Sequence, residues 1–179
     1  DKAAQTRLIT QFREGDESMK IRLLPVVVLY LTGMRVSELI GLRRNDWESA
    51  SSQLRITGKG GKQRLVPVHS GLVPYLNKYS ATTDQATAAL FTDAEGKPYY
   101  ARQLHRLVKS VMSELGARRR LSPHTLRHSF ATHVLDEGAE LLAVKEILGH
   151  SNLSATQVYT RNSLEKLRKL HKLLHPRSE

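Results

Sequence analysis

The sequence predicts an α+β domain, mostly α-helical, with one small antiparallel β-sheet near its front. Three observations carry this. Apolar residues recur at helical spacing over 100–115, where Leu104, Leu107, Val108, Val111, Met112 and Leu115 make one face, and over 162–175, where Leu164, Leu167, Leu170 and Leu174 do. One pair of runs, 53–57 and 64–68, alternates apolar and polar residues around a glycine-rich turn. Ser122-Pro123 is a helix start, with serine as cap and proline at the first helical position.

Taken in order, residues 1–20 are polar and interrupted by Gly15, a lead-in with some helix around 6–12. Residues 21–31 are apolar nearly all round, as in a buried helix. Pro25 fits there if it falls in the first turn, and Thr32-Gly33 closes the helix with a glycine cap. Residues 36–42 read as a short amphipathic helix and Asn45-Asp46 as a turn. The runs 53–57 and 64–68 form a hairpin whose tip, 58–62, is Gly-Lys-Gly-Gly-Lys, flexible and cationic. Ser70 caps a helix to Tyr79, 81–88 is a loop, Leu90-Phe91 a short buried strand, and 93–97 a turn. After the helix 100–115, Gly116 is a stop and Arg118, Arg119 and Arg120 a basic loop. Helices follow over 122–138 and 140–148, the latter ended by Gly149. Asn162 with Glu165 three residues on resembles a capping box that opens the last helix, 162–175.

The 179 residues are enough for one domain with a real core. Lysine and arginine total 28 against 17 aspartates and glutamates, a formal charge of +11, which favours a polyanionic partner, nucleic acid first. There is no cysteine, which excludes disulfides, thiolate nucleophiles and cysteine-ligated zinc, and suits a reducing cytosol. The longest apolar run, 23–31, is about half a membrane span and contains Pro25. The first residues carry no signal-peptide core. The expectation is a cytoplasmic protein without a membrane segment.

Chemistry concentrates between Ser122 and Tyr159. His124 and Arg127 lie one helical turn apart on one face, His150 follows Leu148-Gly149, and Tyr159 comes nine residues later. The spacing is not that of a metal site. An arginine presents a rigid fork that matches two phosphate oxygens and keeps its proton, so a pair of them holds the non-bridging oxygens of a phosphodiester. A tyrosine with pKa ~10 is only about one part in a thousand ionised at neutral pH, so as a nucleophile it needs cations and a proton acceptor beside it. Each residue type also has an ordinary use: packing for Tyr159, an ion pair for Arg127, a helix cap for His124, core hydrogen bonding for His128. It is their company that points to phosphoryl transfer.

Four stretches carry a resemblance. They are 32–39 (Thr-Gly-Met-Arg-Val-Ser-Glu-Leu), 58–64 (Gly-Lys-Gly-Gly-Lys-Gln-Arg), 122–131 and 148–159. In this order they resemble the tyrosine recombinases, or phage-type integrases, and most closely the Xer-like bacterial members. The resemblance implies the catalytic-domain fold of that family over 21–179. It implies that Arg35 and Arg127 clamp the scissile phosphate, His150 donates to it, and His124 assists proton transfer at the nucleophile. It makes Lys59 the acid for the departing 5′ hydroxyl, with Lys62 the other candidate at the hairpin tip, and Tyr159 the nucleophile that forms a 3′-phosphotyrosyl intermediate. A mobile lysine on a glycine-flanked tip suits that acid role. Glu38, one turn after Arg35, either orients that arginine or is a solvated charge.

The resemblance further implies double-stranded DNA as partner, four subunits on it, and no metal or other cofactor. The family's N-terminal helical DNA-binding domain finds no counterpart here, and 162–175 resembles the helix that members pass to a neighbour, or packs on its own domain. Lys62, Arg118, Arg119, Arg120 and Arg161 are candidates for contacts to DNA phosphates, which add affinity without sequence information. The function expected is site-specific recombination or integration. The alternatives are a type IB topoisomerase-like relaxing enzyme and a non-catalytic DNA-binding regulator, with a metal-dependent nuclease behind them.

Overall fold

The computed structural model describes residues 2–82, 88–117, 122–136, 138 and 140–149. Seven α-helices occur among them: α1 (Lys2–Glu14), α2 (Glu17–Thr32), α3 (Val36–Gly41), α4 (Val73–Thr82), α5 (Ala101–Glu114), α6 (Pro123–Asp136) and α7 (Leu141–Leu148). The strands are β1 (Trp47–Glu48), β2 (Gln53–Thr57) and β3 (Gln63–Pro67), antiparallel in the order β1-β2-β3. The α+β expectation holds, with a third strand added to the hairpin. The expected last helix over 162–175 and the basic loop 118–120 lie outside the described residues.

α2 is the central helix. Asp16 caps its start by accepting from Met19 N at 2.8 Å, and Gly33, at φ 62°, ends it with its N–H on Leu29 O. Leu23 through Thr32 are all buried, so every face of this stretch has a neighbour. Pro25 does not lie in the first turn: the helix begins at Glu17 and runs through it. A proline inside a helix costs about 3 kcal/mol. Burying a leucine or valine side chain is worth roughly 1.5–3 kcal/mol, so the buried run around Pro25 outweighs that cost.

Within the expected lead-in, residues 2–14 form a helix that packs on the core. Lys2 to Glu14 are helical, Ala4, Leu8 and Phe12 enter the core at four-residue intervals, and Arg7 Nε donates to Leu115 O at 2.6 Å. A basic residue of α1 thereby takes up a carbonyl that the end of α5 leaves without a helical partner. Other boundaries moved by a few residues. His69, not Ser70, accepts from Gly71 N, and a single 3-10 turn over Ser70–Leu72 precedes α4. Leu90 and Phe91 are buried, but their backbone makes no strand. Leu90 N bonds to Leu42 O, while isolated bridges join Arg43 to Ala89 and Thr92 to Pro98.

Two packings position the site. Leu126, Phe130 and Val134, one face of α6, are buried in the core beside α2, and Tyr30 of α2 bonds to His133 of α6 at 2.9 Å. In the sheet, Leu54 faces Val66 and Ile56 faces Arg64, so those four side chains share one side. Leu54 and Ile56 are fully buried, which makes that side the inner one. An arginine on the inner face must find a partner there.

Candidate active site

Arg127 is the fifth residue of α6, which starts after the cap formed by Ser122, whose Oγ accepts from Thr125 N. The residue is only 9% exposed. It donates from Nη1 to Gly33 O at 2.6 Å and from Nη2 to Leu148 O at 2.7 Å. Those are carbonyls at the ends of α2 and α7, where backbone acceptors lack helical partners and the helix dipole favours a cation. One guanidinium therefore ties two loops together: Gly33 lies two residues before Arg35, and Leu148 two before His150. Burial, then the nearby positive charge of Arg35, lowers the Arg127 pKa to about 10, with Glu38 opposing the shift. It remains a cation at neutral pH.

The close approach at Gly33 has a consequence. A Cβ built there would lie 2.5 Å from Phe130 Cδ1 and 2.7 Å from Leu148 Cδ2, and φ is already left-handed. Gly33→Ala should therefore destabilise the fold by about 2–4 kcal/mol, the sum of backbone strain and overpacking. Chemical denaturation checks this.

Glu38 carries the second half of the site. Its side chain is 3% exposed and accepts four hydrogen bonds. Arg35 N reaches Oε2 at 2.7 Å and Arg35 Nη1 reaches Oε1 at 3.1 Å. Arg64 adds a bidentate pair, Nη1 to Oε1 and Nη2 to Oε2, both at 2.9 Å. The bond from Arg35 N is the returning half of a capping box: Glu38, three residues into α3, satisfies the N–H of the residue that starts it. Burial by itself raises the Glu38 pKa, but the hydrogen bonds and charges of Arg64 and Arg35 outweigh it and hold the group below its ordinary value. Of the two readings of Glu38, orientation of Arg35 is the one the geometry supports. The Arg35 side chain remains 42% exposed, so its outer edge is open to a ligand.

Two guanidiniums, those of Arg35 and Arg64, thus bond one carboxylate, and the charge of Arg127 lies near enough to be felt by both Arg35 and Glu38. The hairpin tip joins this group at its base. Gly58 N bonds to Lys62 O at 2.8 Å, and a Cβ on Gly58 would stand 3.6 Å from Glu38 Oε1 and 3.7 Å from Arg64 Nη1. Lys59 is the next residue, in a one-turn 3-10 segment over Lys59–Gly61, and both Lys59 and Lys62 are exposed. His124, in the first turn of α6, is exposed as well. His128 is also exposed, so core hydrogen bonding is not its use. Among the described residues, no cluster of three or more His, Cys, Asp or Glu side chains could hold a metal ion. His150, Tyr159, Arg118, Arg119, Arg120 and Arg161 lie outside the described residues.

Arg64 is the one member of this site with no role assigned from sequence. A signal for it exists: on a strand, Arg64 is in phase with Val66 and Val68, both buried. A cation in phase with core residues implies a buried anion.

Comparison with known proteins gives a consistent result. The model of the phage integrase family matches residues 2–166. The chain is 45% identical over 152 residues to tyrosine recombinase XerC of Pelobacter propionicus, covering 84% of this chain and 50% of that protein. It is 41% identical over 157 residues to tyrosine recombinase XerD of Staphylococcus aureus, covering 84% and 53%. The chain spans about half the length of these curated relatives. Among solved structures, XerA recombinase superposes with a TM-score of 0.73 at 27% identity, over 99% of this chain and 65% of that one. The integrase of mycobacterium phage Brujita shares the fold, with a TM-score of 0.71 at 21% identity over 96% and 57%.

Proposed function

Since the chain belongs to the phage integrase family, the tyrosine recombinases, we propose that it is the catalytic domain, over 21–179 with α1 packed on it, of a site-specific DNA recombinase. The observation that carries this reading is the convergence of Arg35 and Arg127 from distant parts of the chain. Arg127 bonds to the backbone two residues before Arg35, and the two share the field of Glu38. Like charges held together cost free energy that a bound anion offsets, and two guanidinium forks suit the oxygens of a phosphodiester.

In the proposed reaction the Tyr159 oxygen attacks the scissile phosphorus, and an O–P bond forms as the bond to the 5′ oxygen breaks. His124 takes up the phenolic proton, and Lys59 gives one to the departing 5′ oxygen. Arg35, Arg127 and His150 stabilise charge on the non-bridging oxygens as the pentavalent transition state forms. The product is a 3′-phosphotyrosyl strand with a free 5′ hydroxyl. Attack of another 5′ hydroxyl reverses the steps and rejoins the DNA. One phosphoester replaces another in each step, so the reaction needs no energy source and no cofactor.

The same reading makes double-stranded DNA the partner. Lys62, Arg118, Arg119, Arg120 and Arg161 contact its phosphates, and four subunits exchange strands while each passes the helix 162–175 to a neighbour. The reaction belongs in the cytoplasm, with the DNA. Among the described residues no helix is long and apolar enough to cross a membrane.

A nicked suicide duplex tests the proposal. It carries the sequence that the protein enriches from genomic fragments, and products are separated under denaturing conditions. The expected result is a protein–DNA adduct that forms in the presence of chelator and contains the peptide with Tyr159. Binding without any adduct would favour the regulator. Relaxation of supercoils at no defined site would favour the topoisomerase-like enzyme.

Lys59 has its own test. Lys59→Ala should cut the cleavage rate by about 100-fold or more on ordinary DNA, the usual weight of a general acid. It should regain near wild-type rate when the 5′ leaving oxygen is replaced by sulfur, because a thiolate leaves without a proton. Absence of rescue would move the acid role to Lys62.

A further inference from the structure

Resting on the recombinase reading above, we propose that Arg64 is a positioning residue of the reaction, which holds Arg35 in place through the Glu38 carboxylate. Arg64 enters the site from β3, on the inner face of the sheet opposite Ile56, and its side chain is 10% exposed. Three of its donors have fixed uses. Nη1 and Nη2 grip both oxygens of Glu38, and Nε donates to Ile147 O at 2.7 Å.

Each use reaches a segment close in sequence to a proposed catalytic residue. Glu38 is bonded to the backbone N–H and to the guanidinium of Arg35. Ile147 O belongs to the last turn of α7, three residues before His150. β3 itself is one arm of the hairpin that carries Lys59. Gly149 completes the fit. A Cβ there would stand 3.0 Å from Arg64 Nη1 and 3.2 Å from Cζ, so only glycine leaves the guanidinium its position against the end of α7.

The geometry is specific to arginine. A planar fork engages a carboxylate through two parallel bonds and a carbonyl through the third nitrogen at one time, whereas a lysine ammonium is a point donor. A buried pair of this kind is weak evidence of stability, because desolvation offsets much of the attraction. Its position gives it another use. With both its oxygens already bonded to Arg64, the carboxylate cannot rotate, and Arg35 meets it in one orientation with its outer edge free for phosphate. Arg64 touches no reacting atom; it acts through Arg35.

Arg64→Lys tests this by single-turnover cleavage of the suicide duplex with the full protein. DNA affinity is measured by fluorescence anisotropy, and folding by thermal denaturation. The rate is expected to fall about 100-fold, the scale of a 1 Å misplacement of a reacting group, with affinity within about threefold. The sulfur-substituted duplex should not restore it, because the defect lies at the clamp and not at the acid. In an Arg35→Ala background the further loss from Arg64→Lys should shrink to less than about threefold, since residues that act through one another are not additive.

A rate within about threefold of wild type, full rescue by sulfur, or an undiminished loss without Arg35 would each overturn the proposal. Should Arg64→Lys not fold, Glu38→Gln carries the same test: its loss, too, must vanish in the Arg35→Ala background. Wild type is the control that separates the two levels. No adduct with wild type sinks the recombinase reading, whereas a wild-type adduct with Arg64→Lys unaffected sinks this inference alone.

Discussion

Tyr159→Phe should bind DNA as wild type does and form no covalent adduct. The substitution removes one oxygen and leaves the ring. What disappears is the only atom that the proposed mechanism has as nucleophile. A phenol of pKa ~10 is scarcely ionised at neutral pH, so its reactivity depends on the cations around the phosphate and on the proton acceptor. There is no cysteine in the chain to attack in its place, and a water doing so would give a nick and not an adduct. The measurement pairs a denaturing gel for the adduct with a native gel for binding in the same samples. Adduct formation by the phenylalanine variant would place the nucleophile elsewhere and remove the basis of the assignment. The position lies within the residues matched by the family model.

Arg127→Ala should produce the second large effect, and on two observables at once. As a clamp on the phosphate, its removal should lower the cleavage rate by about 100- to 1,000-fold, the range for loss of one donor to a developing oxyanion. It should also lower stability by about 2–5 kcal/mol, because the carbonyls of Gly33 and Leu148 lose a donor inside the protein. Arg35→Ala is the informative contrast. Arg35 is nearly half exposed and its backbone N–H still reaches Glu38 when the side chain is cut, so its loss should affect the rate strongly and the stability little. Denaturant titrations of the two variants, set beside their single-turnover rates, check this. Equal stabilities would mean that the two carbonyl bonds of Arg127 contribute nothing net.

The two arginines were legible in the sequence for a chemical reason. Each sits in a short motif whose local geometry needs particular residues: glycine at Gly33 for a left-handed helix end, Ser122 and Pro123 for the start of α6, Gly149 for the end of α7. Such requirements act over a few residues, so a linear pattern contains them. The same holds for the hairpin, where alternation and glycines mark the turn that presents Lys59. It also holds for α5, whose apolar face is buried in the core as its spacing predicts.

Other features were misread because their cause is not local. Residues 2–14 are polar enough to look like a lead-in, yet a sparse stripe of Ala4, Leu8 and Phe12 is enough for a helix once α2 and α5 offer a surface to cover. Pro25 argued for a helix that starts close before it. The helix starts at Glu17 instead, because Asp16 caps it there and the burial that follows outweighs the missing hydrogen bond.

By itself, then, the sequence determined the class of fold and the order of most of its elements, and it nominated the residues that the proposed reaction uses to attack and hold a phosphodiester. Only the tertiary structure decided how those residues are held. That Arg127 spans the ends of α2 and α7, and that Glu38 is gripped by Arg64, follows from contacts between segments far apart in the chain. The physical reason is the cost of burying charge. A cation on the inner face of a sheet must meet an anion and spare carbonyls, and which ones it meets is fixed by how strands and helices pack, not by the residues on either side of it.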